Sequence, residues 1–148
     1  MQRRTADANI RIIENMLYKQ KAIRAAVLDY RASKGGHTGG GVTGHAFVSD
    51  PTAGEALRNV EEVGAVILTT GEKICKPERW IKLFDALAEW VSTDFVKRGI
   101  LGRRYAGEDY KVSCLELAIS QSTYSANLQE MRAYALAIAC QLQLVQLL

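Results

Sequence analysis

The sequence predicts an all-α fold: a helical bundle with a C-terminal helix-turn-helix, and a long N-terminal helix on a glycine-rich tether. Apolar residues recur at three- and four-residue steps along most of the chain, no convincing alternating strand pattern is found, and one segment concentrates glycine. A length of 148 residues with 48% hydrophobic residues is typical of one globular domain, or one small domain with an appendage. Two-lobed enzymes, collagenous chains and disordered chains are therefore excluded.

The first predicted element is a basic amphipathic helix over residues 1–34. No glycine or proline occurs between Thr5 and Ser33, and eight Lys or Arg against three acidic residues give residues 1–34 a net charge of +5. The apolar positions favour one side: Ile10, Ile13, Leu17, Ile23, Val27 and Tyr30. A solvated basic face and a face that contacts phosphates or a partner both stay open as interpretations.

Residues 35–48 predict a glycine-rich linker, because six of the twelve residues from Lys34 to His45 are glycine. The spacing Gly39-x-Gly41-x-x-Gly44 satisfies a dinucleotide-binding pattern, but it follows a helix and not a β-strand, so we expect no nucleotide site. His37 and His45 lie in the same stretch and are interpreted as loop residues without a metal.

Residues 49–148 predict a helical domain. Its first helix begins at Asp50-Pro51, includes Val63, Ile67 and Leu68, and ends at Thr69-Thr70-Gly71. The next begins near Lys76-Pro77 and runs to Val91. A further helix spans about Thr93 to Tyr105. We expect these side chains to face the core: Trp80, Trp90, Phe95, Ile100, Leu101 and Tyr105. We expect these cations to be more exposed: Lys97, Arg98, Arg103 and Arg104.

A helix-turn-helix is predicted at about residues 112–132. Ser113 followed by Glu116 forms a capping-box pattern that predicts the start of a short helix with Cys114, Leu117 and Ala118 as candidate inward positions. Ile119-Ser120 then interrupts this helix, and Ser120 or Ser122 caps a longer one that continues to the C-terminal Leu and Gln residues. We expect Tyr124, Leu128, Met131, Ala135 and Ile138 to face the core.

The polar residues of this longer helix are the candidates for contact with DNA bases and phosphates, because the second helix of such a motif enters the major groove. They are Gln121, Ser122, Ser125, Gln129 and Arg132. The preceding segment, residues 97–111, has a net charge of +3 and supplies Arg103, Arg104 and Lys111 as candidate contacts to the phosphate backbone.

Three motifs follow one another along the chain: Ser49-Asp50-Pro51-Thr52 with Glu55-Ala56, then Ile100-Leu101-Gly102-Arg103-Arg104-Tyr105, then Leu117-Ala118-Ile119-Ser120-Gln121-Ser122-Thr123-Tyr124. In these motifs and their order the chain resembles phage and prophage late-gene transcriptional regulators of the ArpU and RinA type, whose C-terminal helix-turn-helix is similar to the promoter-reading region of bacterial sigma factors. The resemblance implies activation of phage packaging, morphogenesis or lysis genes through double-stranded promoter DNA. RNA polymerase is a further partner that the resemblance leaves open.

We expect no enzymatic activity, no cofactor and no metal. Cys114 and Cys140 fall on predicted apolar faces, both histidines lie in the linker, and the acidic pairs are sequence neighbours, which do not face each other on a helix. The uncharged stretch of residues 133–148 is shorter than a membrane span, so we expect a cytoplasmic protein of the bacterial host cell without a membrane partner.

Three functions therefore remain. The first is a sequence-specific DNA-binding transcriptional regulator. The second is a helical DNA-packaging or assembly protein, such as a small terminase-like subunit, and the third is an adaptor that binds only protein. A homodimer seam through Leu142, Val145 and Leu148 is open, as is burial of the same residues under the first helix.

Overall fold

The computed structural model describes residues 2–36 and 61–146. In chain order these residues form α1 (Gln2–Tyr18), α2 (Gln20–Gly36), β1 (Ala65–Ile67), β2 (Lys73–Cys75), α3 (Pro77–Val91), α4 (Phe95–Arg104), α5 (Tyr110–Leu117) and α6 (Gln121–Gln141). The predicted all-α class is confirmed, because helices make up most of the described chain and the sheet found there has two short strands. The remainder of the predicted linker after Gly36, and the helix start at Asp50-Pro51, lie outside the described residues.

The predicted N-terminal helix is two helices, which are separated at Lys19. The amide of Lys19 donates to the carbonyl of Met16, three residues earlier, so the regular four-residue pattern is interrupted there. Ile13, Leu17, Ile23 and Val27 are buried, as the three- and four-residue spacing predicts. The apolar pattern therefore located the buried side, while nothing in the composition indicated the break.

The prediction of helix over residues 63–68 is wrong. Residues Ala65–Ile67 form β1, which pairs antiparallel with β2 so that Val66 faces Ile74. Val66 and Leu68 are buried while Ile67 is exposed, which is the two-residue alternation of a strand. Gly71, at φ +90°, closes the turn. The four consecutive apolar residues 65–68 are compatible with the spacing of a helix and with that of a strand, and the β-branched Val66 and Ile67 favour the strand.

Two compact units divide the chain differently from the predicted domains. One unit is residues 21–78, which contains nearly all of α2 and the β hairpin. Within it, the carboxylate of Glu78 accepts hydrogen bonds from Arg31, at 2.6 Å, and from the amide of Val63, at 2.8 Å. Arg31 also donates to the carbonyl of Glu61. These bonds tie the chain before β1 to α2 and to the start of α3.

The other unit comprises residues 1–20 with residues 79–148, so α1 belongs with α3 to α6. Its interior includes Leu83, Leu87, Val91, Ile100 and Met131, all nearly inaccessible to solvent. Because α1 packs against α6, the predicted tethered N-terminal helix is in part an integral element of the C-terminal unit.

The chain after α6 also packs in this unit. The helix ends at Gln141 instead of continuing to the C-terminus, and Gln143 takes a left-handed conformation with φ 58°. Asn9 on α1 donates to the carbonyl of Gln146, and Val145 is buried. For Val145, these contacts fit the predicted burial beside the first helix. Leu148 lies outside the described residues.

Several predicted faces need correction. Phe95 was expected inside but is exposed, and Trp90 is partly exposed with its ring stacked on Tyr134 at a centroid distance of 4.4 Å. Lys97 and Arg104 were expected to be more exposed, yet only 13% and 20% of their side-chain surfaces are accessible. These two cations have carboxylate partners within the fold, and the pairing reduces the cost of partial burial.

Candidate functional site

Three helices, α4, α5 and α6, contain the residues predicted to contact DNA. α4 packs against both α5 and α6, and α5 packs against α6. Ile100, Leu117 and Leu128, one from each helix, are buried. The eight residues of α5, the turn of residues 118–120 and the 21 residues of α6 have the proportions of a helix-turn-helix.

The turn reverses the chain through local hydrogen bonds. Ala118 adopts a left-handed conformation, with φ 55° and ψ 46°, and the amide of Ile119 donates to the carbonyl of Cys114 at 3.0 Å. This pattern ends α5 as a glycine commonly ends other helices. Ser120 then caps α6, since its Oγ accepts a hydrogen bond from the amide of Thr123 at 3.1 Å. The predicted cap at Ser120 is confirmed, whereas Ala118 is exposed and not inward.

The predicted capping box at Ser113 is wrong. α5 begins one turn earlier, at Tyr110 with Asp109 as the N-cap residue, and Ser113 is fully buried within it. The Oγ of Ser113 donates to the carboxylate of Glu108 at 2.8 Å. Hydrogen bonds from Ser113 and from Arg103 lower the pKa of Glu108. Serine three residues before glutamate is therefore an interior pair in this helix and does not mark its start.

Four of the predicted contact residues lie on the exposed side of α6. We call Gln121, Ser122, Ser125 and Gln129 the polar strip; each is exposed, and their spacing places them along one side of the first three turns. The first turn of α6 contains no acidic residue. On the other side of the helix, Tyr124, Leu128, Met131 and Ala135 are buried, as predicted, while Ile138 is half-buried.

Arg104 and Arg132, two other predicted contact residues, are bound to Glu14 of α1. Arg132 Nε lies 2.7 Å from Glu14 Oε1, and Arg104 donates to Oε2 at 2.9 Å. The hydroxyl of Tyr105 donates to Oε1 at 3.1 Å. Glu14 is 12% exposed in its side chain, so this group, which we call the Glu14 cluster, joins α1, α4 and α6 at a largely buried position.

The ionisation of the Glu14 cluster follows from these bonds. Burial raises the pKa of Glu14, but the hydrogen bonds and charges of Arg132 and Arg104 outweigh burial and hold the pKa below its ordinary value. Burial, together with the nearby Glu14 carboxylate, raises the pKa of the Tyr105 hydroxyl. Glu14 is therefore a carboxylate at neutral pH, and Tyr105 is a neutral donor.

The remaining predicted contacts, Arg103 and Lys111, differ in their surroundings. Arg103 Nη1 donates to both carboxylate oxygens of Glu108 at 3.1 Å, and its Nη2 lies 4.0 Å from the Glu116 carboxylate. Lys111 is exposed on α5, on a face that also exposes Leu115. The structure thus keeps five of the eight predicted residues exposed and engages three arginines in ion pairs within the protein.

The roles of Glu14 and Lys97 in positioning α6 were not predicted from the sequence. Glu14 borders the buried face of α1, and an acid at that border next to Ile13 could have indicated a buried partner. Lys97 holds the other side of α6: its Nζ lies 2.8 Å from Glu130 and 2.9 Å from Asn127 Oδ1. The hydrogen bond with Glu130 raises the pKa of Lys97, although burial opposes it. Lys97 and the Glu14 cluster hold α6 from two flanks.

Within the described ranges, no group of three or more His, Cys, Asp or Glu side chains is arranged to hold a metal ion. Cys114 and Cys140 are half-buried thiols, and Cys75 is exposed. In the same part of the chain, no helix combines the length and apolar character that crossing a bilayer requires.

Comparison of the chain with models of known protein families, with curated proteins and with solved structures finds no match.

Proposed function

We propose that this chain is a sequence-specific DNA-binding transcriptional regulator that inserts the beginning of α6 into the major groove of double-stranded promoter DNA. The observation that carries the proposal is the polar strip, exposed on a helix that follows a three-residue turn and packs against α1, α4 and α5. In a helix-turn-helix, the N-terminal residues of the second helix contact the edges of the bases.

The side chains of the polar strip suit base contacts. Gln121 and Gln129 each carry an amide that can bind adenine through two hydrogen bonds, and the hydroxyls of Ser122 and Ser125 can donate or accept. Ser122 and Ser125 are also small, so the helix backbone can approach the bases closely. The absence of a carboxylate from the first turn of α6 avoids repulsion of phosphates.

The contacts on both flanks of α6 favour the same function. Base readout requires hydrogen-bonding groups that are held in place, because each group that must be ordered on binding reduces affinity. Arg132 binds Glu14 on one flank of α6, while Asn127 and Glu130 bind Lys97 on the other. The polar strip is therefore presented by a helix that is hydrogen-bonded to the rest of its compact unit on both flanks.

The biological setting is a further part of the proposal. Activation of phage packaging, morphogenesis or lysis genes, with RNA polymerase as a second partner, is supported by the resemblance to the ArpU and RinA regulators. A genomic position directly upstream of terminase and capsid genes would support this setting. A chromosomal position without phage genes would contradict it.

The test is selection of binding sites from a pool of random duplex DNA. We expect a defined motif to be enriched, with an affinity that falls as salt is raised. Ser125→Glu should abolish binding, since it places a carboxylate in the polar strip, while the matched control Thr93→Glu, at an exposed position between α3 and α4, should bind as the wild type does. Circular dichroism checks that both variants fold. Failure to enrich any motif would overturn the proposal.

Light scattering separates the regulator from the DNA-packaging alternative. A regulator of this type is expected to be a monomer or dimer in solution. A stable ring-sized oligomer would instead favour the assembly protein, in which basic helices serve subunit contacts and DNA together.

A further inference from the structure

We propose that the groove between α1 and α6 binds a phosphate of the DNA backbone, with Arg132 and Arg11 as its two ligands. This inference rests on the proposed function and adds to it a second contact region, which involves the N-terminal helix. The site lies within one compact unit of the molecule.

The groove continues the polar strip. It is open, has a volume of about 540 Å³, and is lined on the α6 side by Gln129 and Arg132. Gln129 is also the last residue of the polar strip, so the proposed base-reading surface leads directly into the groove. A protein that reads bases in the major groove also contacts the phosphates that border it, and such contacts set its orientation on the duplex.

The hydrogen bond to Glu14 orients the guanidinium group of Arg132. Only its Nε donates to the carboxylate, at 2.7 Å, and its two terminal amino groups have no hydrogen-bond partner among the residues that the structure describes. The side chain keeps 27% of its surface accessible. An arginine whose plane is fixed in this way presents its terminal N–H groups with little loss of conformational entropy, and these groups match the geometry of phosphate oxygens.

Arg11 lies on the α1 side of the groove. It is exposed and forms no ion pair with the described part of the chain. Glu14 also lines the groove, but its charge is matched by Arg104 and Arg132. Asp7 is the remaining acid in the lining, and its charge should oppose an anion there.

The test compares charge variants on the duplex that the wild type selects. Arg11→Ala should weaken binding roughly fivefold near 0.15 M salt and reduce the slope of log affinity against log salt by about 0.9, as expected for one lost phosphate contact. Asp7→Asn should strengthen binding. The matched control, Lys82→Ala, removes one exposed cation from α3 and should change neither quantity.

Phosphate-ethylation interference gives a readout that a purely structural role would not alter. Ethylation of one phosphate beside the recognised bases should impair binding of the wild type more than binding of Arg11→Ala, in which Arg132 alone remains as a ligand. If Arg11→Ala keeps wild-type affinity, salt slope and interference pattern while Ser125→Glu abolishes binding, the groove assignment is overturned and the proposed function stands. If the wild type binds no duplex DNA, both are overturned. If inorganic phosphate binds in an Arg11-dependent way while DNA binding is unaffected by Arg11→Ala, the ligand is a free phosphate and the DNA assignment fails.

Discussion

Glu14 shows how one side chain can position a surface that it does not belong to. Its carboxylate accepts hydrogen bonds from Arg132 on α6 and from Arg104 and Tyr105 next to each other in the α4 segment. Removing the carboxylate would leave two half-buried guanidinium groups without their anion. A charged group in that position loses more than an ordinary hydrogen bond, because its desolvation is no longer compensated.

We expect Glu14→Gln to lower the free energy of unfolding by about 3 kcal/mol, as for other partly buried ion pairs that lose one partner. The matched control is Glu89→Gln, at an exposed position on α3, which should change stability by less than about 0.5 kcal/mol. Urea unfolding followed by circular dichroism measures both. Equal stability of the two variants would show that the Glu14 cluster does not stabilise the fold.

Ala118 carries a conformational cost in the turn between α5 and α6. Its left-handed backbone, with φ 55°, is disfavoured for a residue with a Cβ. Ala118→Gly should raise the free energy of unfolding by about 0.5 to 1 kcal/mol, since relief of strain exceeds the added entropy of the unfolded chain. Ala126→Gly, on the exposed side of α6, should have the opposite sign. Thermal unfolding of the two variants tests this difference, and a loss of stability in Ala118→Gly would contradict it.

At the scale of elements, α4 and α5 approach closely at Gly99. A Cβ at Gly99 would overlap the side chain of Leu117, whereas a Cβ at Gly102, on the same helix, would meet nothing within 4 Å. Leu117 is buried, so it has little room to move away. The two glycines therefore provide a matched pair in which only one has a packing role.

We expect Gly102→Ala to stabilise the protein by about 0.5 to 1 kcal/mol, because alanine is the better helix former. Gly99→Ala should be less stable than Gly102→Ala by about 1 to 3 kcal/mol, since overpacking offsets the same gain. Chemical denaturation of both variants gives the difference directly. If both substitutions were equally stabilising, α4 and α5 would not be as closely packed as the structure describes.

Elements with long, regular apolar spacing were predictable from sequence. α3 and α6, for example, bury the expected Trp80 and Tyr124, and Ser120 caps α6. The β hairpin was not, because its short run of apolar residues fits either period and pairing with Ile74 decides between them. The start of α5 was misplaced for a different reason: Ser113 lies inside the helix and donates to Glu108 just before it, so the serine of the capping pattern is not at the helix start.

The candidate site was likewise predictable from the sequence only in part. Exposure of the polar strip follows from helical spacing, since its residues lie away from the buried Tyr124 and Leu128. The partners of Arg104 and Arg132 could not be read from spacing, because Glu14 is 90 residues before Arg104 and 118 before Arg132. Composition gives the number of cations but not which of them form ion pairs within the fold.

At the scale of the whole molecule, the free energy of unfolding should decrease at low pH, because several carboxylates have lowered pKa values. The pKa values of Glu14, Asp94 and Glu108 all lie below their ordinary values in the folded protein. Their contribution to the free energy of unfolding is therefore complete above the unfolded-state pKa, which is about 4 for such groups. It is lost as the pH falls through the pKa values of the folded state. We expect urea midpoints to decrease below pH 4.5, and to decrease less steeply in Glu14→Gln. A midpoint that is independent of pH from 5 to 3 would contradict this expectation.

The proposed function requires the polar strip to read bases, and the most direct measurement is the affinity of wild type and Gln129→Ala for every single-base variant of the selected duplex. We predict that the wild type discriminates against changes at each recognised position. Gln129→Ala should lose about 1 to 3 kcal/mol of discrimination at one base pair and keep it elsewhere. Equal affinity of the wild type for the selected and scrambled duplexes, or unchanged discrimination at every position in Gln129→Ala, would contradict the account.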